Sequence, residues 1–197
     1  MKKILLATNN QGKLREYRRL LRGIPFEIVT PLECGITAEI AETGATFEEN
    51  AMQKATTMAS LSNLLTMADD SGLEVEALGG APGPLSHRFA GKKADDAKRV
   101  EFLLNKLKAA PDKNRNAQFR CVIAIAEPAG RVEICSGKCR GVIIDKPRGT
   151  NGFGYDPIFL VPELGKTMAE LTLTQKNKIS HRARAAEQAK ALLMEWR

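Results

Sequence analysis

Two adjacent carboxylates give this chain its clearest capacity for chemistry: Asp69 and Asp70, which are followed by Ser71 and Gly72. Paired carboxylates can hold Mg²⁺ and can orient or deprotonate a water molecule for attack on phosphorus. Because neighbouring strand residues point to opposite faces, both aspartates can serve one site only where the backbone turns, and Gly72 makes such a turn possible. The same four residues also fit an Asx-type turn that satisfies only local backbone groups.

The segment Thr8–Lys13, with the sequence TNNQGK, joins an apolar strand to the start of a helix. The N–H groups and the positive dipole of a helix N-terminus favour an anion, and Lys13 adds a full charge, so the segment is a candidate phosphate site. Its spacing is not that of a Walker A loop, and an ordinary polar connection also fits it. Lys54 lies one helical turn after Asn50 on the same face, where it could reach a phosphate or simply be solvated.

The segment Gly152–Pro157, with the sequence GFGYDP, places two of the few aromatic residues beside a carboxylate. A purine could stack on Phe153 or Tyr155, and separate polar groups would then have to identify the base. Aromatic side chains that pack a hairpin corner into the core are the alternative.

Ser180, His181 and Arg182 open the predicted last helix, and Lys176 lies just upstream. Ser180 could cap the helix, which would leave His181 and Arg182 to donate hydrogen bonds into a cleft. A helix cap followed by surface cations is the alternative. A Ser–His–Asp nucleophile is disfavoured because no nucleophile-elbow motif accompanies it.

Hydrophobic periodicity predicts a mixed α/β protein, because strands and helices alternate in the first half of the chain and strands succeed one another in the second. Thr46 and Glu49 form a capping-box pattern at the start of one helix. A hairpin with strands at 118–126 and 131–138 precedes a third strand at 142–144. The other predicted strands lie at 3–8, 26–29 and 64–68, and the predicted helices cover about 14–21, 46–62, 100–107 and 180–196.

The 197-residue chain is 43% hydrophobic, enough for a substantial core in one domain or in one domain folded as two lobes. The net charge of +7 favours anionic partners, which include phosphate-bearing small molecules, nucleic acid and acidic membrane surfaces. Because basic residues are spread along the chain and only 5% of residues are aromatic, a focused phosphate site is favoured over an extended nucleic-acid track.

The cysteines lack the paired spacing of metal ligands, so we expect reduced, structural thiols at Cys34, Cys121, Cys135 and Cys139. The apolar run near the N-terminus ends at Asn9, too early for a signal peptide. No other apolar run approaches the length of a membrane span. We therefore expect a soluble, cytoplasmic protein with no membrane partner.

Several motifs, taken in order, resemble those of the Ham1/RdgB family of inosine triphosphate pyrophosphatases, and the resemblance covers nearly the whole chain. They are ATNNQGK at 7–13, TFEENA at 46–51, DDSGL at 69–73, GGAPG at 79–83, GFGYDPIF at 152–159 and SHR at 180–182. Each motif is modest, but the ordered set is highly specific.

The resemblance implies an elongated α/β fold in which a mixed central sheet is flanked by helices and two lobes surround a substrate cleft. It implies a single domain over residues 1–197 and assembly as a homodimer. The implied activity is Mg²⁺-dependent hydrolysis of ITP, dITP and XTP to the nucleoside monophosphate and pyrophosphate. The implied partner is this small-molecule substrate, without a stable nucleic-acid partner.

Carried over by position, the resemblance makes Asp70 the general base and a metal ligand, and it places Asp69 beside the metal. Ser71 would contact the substrate, and Lys54 would assist in binding the triphosphate. The remaining triphosphate-binding residues would be Thr8, Asn9, Asn10, Gln11, Gly12 and Lys13. The base would be held by Phe153, Gly154, Tyr155, Asp156, Lys176, His181 and Arg182.

This chain departs from the family's pattern where a metal ligand is expected. The family often has two consecutive acidic residues before Thr-Gly, whereas this chain has Ala41 and Glu42. Glu42 is then the candidate to complete the magnesium shell, with Glu39 or water as alternatives. Near Leu85, where the family commonly has an aromatic residue, we expect only a change in local packing.

Two other functions stay open. One is a related pyrophosphatase that acts on other modified nucleotides, and the other is a basic nucleic-acid-binding module that the net charge alone indicates. Binding to nucleic-acid strands that weakens steeply with salt would identify the module, whereas turnover of a free triphosphate would identify the enzyme.

Overall fold

The computed structural model describes residues 2–38 and 40–196, which form an α/β fold around a seven-stranded mixed sheet. The strand order is β2-β1-β3-β4-β5-β6-β7. β1 pairs in parallel with β2 and β3, whereas β6 pairs antiparallel with β5 and β7. The strands are β1 Lys2–Leu6, β2 Phe26–Val29, β3 Leu65–Val75, β4 Asn116–Ala126, β5 Val132–Ile143, β6 Phe159–Val161 and β7 Lys166–Thr167. The α-helices are α1 Gln11–Leu20, α2 Phe47–Ser62, α3 Asp96–Ala109, α4 Leu173–Ile179 and α5 His181–Glu195.

The chain divides into two compact units. The first unit comprises the described residues up to Asp70, the segment Cys121–Gly137, and the described residues from Arg182 onward. The second comprises Ser71–Arg120 and Lys138–His181. β3, β4 and β5 therefore each contribute residues to both units.

In the first unit, residues 4–6 of β1 are buried on both faces, as expected for a parallel strand covered by helices. Ile4 and Leu6 pack with Tyr17 of α1 in one apolar cluster that also includes alanines of α5. The alternate residue Leu5 packs with Phe47 of α2 in a second cluster. The sheet of this unit therefore has helices on both sides.

In the second unit the apolar face of α3 supplies the core. Leu103 and Leu107 are buried with Val75 of β3, Phe119 of β4 and Phe159 of β6. The spacing of these leucines is the one that predicted the helix, so the prediction is confirmed.

Two sequence predictions about strands were wrong. β3 runs without a break from Leu65 to Val75, so the backbone does not turn at residues 69–72. A Cβ at Gly72 would lie 2.3 Å from Ser86 Oγ and 2.5 Å from the Gly83 carbonyl oxygen, so this glycine permits close packing rather than a turn. The strand predicted at 142–144 is the end of β5, which continues from Val132 to Ile143.

Helix α4 was not predicted, although its N-terminus carries a recognisable pattern. Thr172 accepts a hydrogen bond from the Gln175 N–H, and the Gln175 side chain accepts one from the Thr172 N–H. This reciprocal arrangement is a capping box, and it starts a helix of two turns. No helix within the described ranges is both long and apolar enough to span a bilayer.

Candidate active site

The two carboxylates on β3 point to opposite faces of the sheet, because the strand is extended where they lie. Both are almost completely buried, with exposures of 1% for Asp69 and 4% for Asp70. An Asp69 oxygen lies 2.8 Å from the Lys13 ammonium of α1. An Asp70 oxygen accepts a hydrogen bond of 2.9 Å from the Asn50 amide of α2. The adjacent residues therefore serve two different environments.

Asp70 lies in surroundings that disfavour its charged form. Burial is the main cause, and the nearby carboxylate of Glu42 adds to it, so that the pKa of Asp70 rises to about 6 despite opposing effects of Lys13, Asn50 and Lys54. Asn50 is itself held in place, because its side-chain oxygen accepts a 2.8 Å hydrogen bond from the Gly44 N–H. Asp70 is therefore a buried carboxylate that titrates near neutral pH, as a general base should.

Lys54 lies beside the same group. Its ammonium pairs with Glu42 and donates a 2.9 Å hydrogen bond to the Asp69 carbonyl oxygen. Burial acts to lower the pKa of Lys54, but the carboxylates of Glu42, Asp69 and Asp70 outweigh that effect and the pKa is raised. Lys54 is therefore a partly buried, positively charged group close to Asp70.

The electrostatic surroundings of Asp69 are opposite to those of Asp70. Burial acts to raise the pKa of Asp69, but Lys13, Arg182 and Lys54 together outweigh it and lower the pKa to about 2. The side chain is thus a permanently ionised partner of buried cations. Asp69 as a metal ligand beside Asp70 stays a prediction, and the continuous strand, which directs the two side chains to opposite faces, does not favour it.

The segment Thr8–Lys13 forms a helix start as predicted. The Asn10 side chain caps α1 by accepting a 3.0 Å hydrogen bond from the Lys13 N–H, and the Asn10 N–H donates to Thr8 Oγ1 at 3.2 Å. The N–H groups in the first turn of a helix have no intrahelical partner. They point outward along the helix axis, at the end where the helix dipole is positive. The structure therefore places an anion-attracting helix end and Lys13 together.

A second group of predicted residues lies in the second unit, around the turn at 152–156. Asp156 accepts a 3.0 Å hydrogen bond from the Phe153 N–H and forms a buried ion pair with Lys176. The Lys176 ammonium lies 4.8 Å from the centre of the Phe153 ring. A Cβ at Gly152, where φ is +76°, would lie 2.0 Å from an Asp156 oxygen, so only glycine fits. Phe153, Asp156 and Lys176 thus form one preorganised cluster.

Tyr155 belongs to the same turn, and its role in stacking stays a prediction. Its side chain is 4% exposed and belongs to the core of the second unit, and its hydroxyl donates a 2.9 Å hydrogen bond to the Ser86 carbonyl oxygen. Phe153 is half-buried, so its ring is more accessible for stacking than that of Tyr155. The neighbouring Gly154 N–H donates to an Asp96 oxygen at 2.7 Å, which fixes the same turn from α3.

Arg182 lies at the start of α5 and is 1% exposed. Its guanidinium pairs with Glu16 at 2.6 Å and lies 3.8 Å from Asp69. Arg182 is therefore a buried cation with acidic partners, and its contact with the base stays a prediction. His181, the preceding residue, instead stacks on Phe119 with ring centres 4.7 Å apart. Ser71 is half-buried on β3, directly after Asp70.

Two carboxylates near the candidate base, those of Glu42 and Asp70 itself, are the side chains that could bind Mg²⁺. The described residues contain no cluster of three or more histidine, cysteine, aspartate or glutamate side chains arranged to hold a metal. Glu42 and Asp70 repel each other, and a divalent cation would remove this repulsion. Because Mg²⁺ usually keeps several waters and takes one or two carboxylates, these two residues fit it. Glu39, the alternative ligand, lies outside the described residues.

Several residues of these groups were not anticipated. Glu16 lies on α1, yet its partner Arg182 follows it by 166 residues, so no local pattern could reveal the pair. Phe119 was predicted only as part of a strand, and Asp96 lies before the helix predicted at 100–107 and had no predicted role. The four cysteines are free, as predicted, and Cys121 is fully buried beside Tyr17, with a side-chain separation of 3.6 Å.

Comparisons with known proteins agree over nearly the full length of the chain. The model of the Ham1 family matches residues 4–192. The dITP/XTP pyrophosphatase of Bacillus licheniformis is 46% identical over 193 residues, which cover 98% of this chain and 98% of that protein. The dITP/XTP pyrophosphatase of Desulforamulus reducens is 48% identical over 191 residues, which cover 97% of this chain and 95% of that protein.

Solved structures show the same similarity. A HAM1 protein from Coxiella burnetii superposes with a TM-score of 0.92 at 47% identity, covering 99% of this chain and 100% of that one. The Ham1 protein of Staphylococcus aureus superposes with a TM-score of 0.88 at 43% identity, covering 100% of both chains.

Proposed function

Because the chain belongs to the Ham1 family, we propose that it hydrolyses non-canonical purine nucleoside triphosphates, such as ITP, dITP and XTP, to the monophosphate and pyrophosphate. The observation that carries this proposal is Asp70. It is a buried carboxylate with a pKa of about 6, next to the ammonium of Lys54 and the carboxylate of Glu42. Such a group suits activation of water beside phosphate oxygens.

In the proposed reaction, Asp70 accepts a proton from a water molecule that attacks the α-phosphorus. The bond between the α-phosphorus and the bridging oxygen breaks, and pyrophosphate leaves. With a pKa of about 6, Asp70 is mostly ionised at neutral pH yet basic enough to take up the proton. Lys13 and Lys54 offset the negative charge that develops on the leaving group.

We assign Mg²⁺ to Glu42 and Asp70, with water completing its shell. When bound, the ion would neutralise charge on the phosphate oxygens and on the two carboxylates. The other triphosphate contacts are assigned to the helix start at Thr8–Lys13 and to Ser71. The mutual repulsion of Glu42 and Asp70 supports this assignment.

The base is assigned to the second unit's cluster. Phe153 offers a ring face for stacking, and Lys176 and His181 carry N–H donors. These donors match a 6-oxo acceptor, whereas adenine presents a 6-amino donor at that position. A site built for an acceptor rejects a donor strongly because buried polar groups would then be left unmatched.

The test is a panel of nucleoside triphosphates with Mg²⁺, followed by phosphorus NMR of the products. We expect kcat/KM for ITP and XTP to exceed that for ATP and GTP, with monophosphate and pyrophosphate as the products. Nucleoside diphosphate and orthophosphate would contradict the reaction. Equal kcat/KM for all four substrates would contradict the specificity, and preference for a modified pyrimidine would support the related pyrophosphatase instead.

The family resemblance also supports a homodimer that works in the cytoplasm on a free nucleotide pool. Light scattering of the purified protein at several concentrations tests the dimer. A mass near 21.5 kDa at all concentrations would contradict it.

A further inference from the structure

Three aromatic rings of the second unit, those of Phe159, Phe119 and His181, lie against one another in a column. The ring centres of Phe159 and Phe119 are 4.4 Å apart with an interplanar angle of 39°. Those of Phe119 and His181 are 4.7 Å apart at 17°, which is a face-to-face stack. Phe119 therefore lies between a core ring and the imidazole.

The bottom of this column is fixed by the backbone. Phe159 has no exposed surface, and Gly141 of β5 lies directly against it. A Cβ at Gly141 would lie 2.5 Å from Phe159 Cε1 and 2.4 Å from the Leu160 carbonyl oxygen. Because the interior is close-packed, Phe159 holds Phe119, which is only 6% exposed, in a single position.

The top of the column is the imidazole of His181. Both ring nitrogens lie in the plane of the imidazole, so the tilt of that plane sets the direction in which an N–H can donate. A parallel ring at 4.7 Å restricts this tilt, since rotation of the imidazole would drive its edge into the face of Phe119. The stack thus fixes the direction of the His181 hydrogen bond.

We propose that Phe119 is a positioning residue for base recognition, which aims the imidazole of His181 at the purine. This proposal rests on the proposed function, because His181 is assigned to the base there. Phe119 itself need not touch the substrate. Phe119 affects turnover by orienting His181. A substitution of Phe119 should therefore weaken binding of the base and leave binding of the phosphates unchanged.

The structural part of the proposal is tested by NMR of the histidine ring protons. The chain has two histidines, so a His87→Gln variant identifies the signals of His181. In Phe119→Leu, the His181 ring protons should lose the upfield ring-current shift that a stacked ring produces. In Phe119→Tyr, which retains the ring, the shift should remain. Unchanged His181 signals in Phe119→Leu would overturn the proposal.

The functional part is tested by kinetics on the same variants. Phe119→Leu should lower kcat/KM for ITP about tenfold, the size of one hydrogen bond's contribution, mainly through KM. The inhibition constant of pyrophosphate, which has no base, should stay the same. Phe119→Tyr should restore the ITP value. Phe102→Leu, the same substitution on α3 away from the column, should leave both constants unchanged.

The outcomes separate positioning from mere packing. If Phe119→Leu weakens pyrophosphate and ITP to the same extent, the residue acts only by holding the fold together, and the proposal is overturned. An ITP KM within twofold of wild type would overturn it as well. If the leucine variant does not fold, Phe119→Met provides the same test. Absence of ITP turnover by the wild type would instead contradict the proposed function.

Discussion

Asp69 and Asp70 are neighbours in sequence, but the charged groups around their side chains have opposite signs. Lys13 and Arg182 accompany the first, whereas the second has Glu42 beside it and an amide as its hydrogen-bond partner. The pKa of one carboxylate falls to about 2 and that of the other rises to about 6. Two carboxylates whose pKa values are separated in this way usually have different tasks. Here Asp70 is the candidate base, and Asp69 holds cations in place.

The first prediction concerns turnover. Asp70→Asn should reduce kcat for ITP by at least about two orders of magnitude, the usual scale of lost general-base catalysis. Circular dichroism should show an intact fold. Asp145→Asn, a change at an exposed aspartate, is the matched control and should leave kcat unaltered. A folded Asp70→Asn enzyme with near-normal kcat would remove Asp70 from its role.

The second prediction concerns the cause of the raised pKa of Asp70. Glu42→Gln removes the neighbouring negative charge, so the pKa of Asp70 should fall below its value of about 6 in metal-free protein. Carbon-13 NMR of the carboxyl groups, with Asp70→Asn to assign the signal, measures this pKa. Glu33→Gln, at an exposed glutamate bonded to Thr30, should not change it. An unchanged midpoint in Glu42→Gln would contradict the contribution of Glu42 and would leave burial as the only cause of the increase.

The sequence identified these residues but did not identify the side chains with which they interact. Asp70 and Lys13 were predictable because each belongs to a motif of adjacent residues, and Lys54 was predictable because it lies one helical turn after Asn50. The ion pair of Arg182 with Glu16 was not predictable, since it joins residues far apart in the chain. The burial of Tyr155 and Arg182 was not predictable either, because residue type shows that a side chain can donate or stack, but tertiary packing decides how far it is exposed.

At the scale of elements, the helices and strands follow the sequence closely where a local pattern defines both ends. β2 spans Phe26–Val29 as predicted, and α3 contains the leucine repeat. The predicted break after residue 68 failed because Gly72 has two possible uses, a turn or a close approach. Only the neighbouring segment, with Ser86 and Gly83 against the strand, shows which use applies.

Helix α2 positions two residues of the candidate site, Asn50 and Lys54. Thr46 caps it by accepting a 3.1 Å hydrogen bond from the Glu49 N–H. The Glu49 side chain accepts from the Ala45 N–H at 2.7 Å, one residue before the cap that a standard capping box would use. The start of the helix, and with it the position of Asn50, is therefore held by side chains.

The third prediction tests this cap. Thr46→Ala should lower the free energy of unfolding by about 1 kcal/mol, because an N-cap hydrogen bond is lost. Thr56→Ala is the matched control on the same helix, where the threonine is exposed and its hydroxyl donates to the carbonyl oxygens of Met52 and Gln53 within the helix. That change should be neutral or slightly stabilising, since alanine has the higher helix propensity. Chemical denaturation measures both variants, and equal losses would contradict the capping role.

At the scale of the whole molecule, the two buried aspartates should act on stability in opposite directions. The pKa of Asp70 in the folded protein is raised from 3.8 to about 6, so the folded state binds more protons than the unfolded state between about pH 4 and pH 6. The free energy of unfolding therefore falls as pH rises through this window. Asp69 has its pKa lowered to about 2, so its contribution is present above about pH 4 and is lost as pH falls toward 2.

The fourth prediction follows from these signs. In metal-free protein at pH 7, Asp70→Asn should increase the free energy of unfolding by up to about 3 kcal/mol. The substitution removes a buried carboxylate whose pKa is about 6 in the folded protein instead of 3.8. At pH 4 the gain should vanish, because the wild-type Asp70 is then protonated when folded.

Asp69→Asn should instead destabilise the protein at pH 7 by roughly 3 kcal/mol, because Lys13 and Arg182 lose a buried counter-charge. Urea denaturation in the presence of a chelator, at pH 4 and pH 7, measures all three proteins. If both variants changed stability in the same direction at pH 7, the opposite electrostatic surroundings would be disproved. If the prediction holds, the free energy of unfolding is lower at neutral pH because the fold buries a carboxylate that is kept basic.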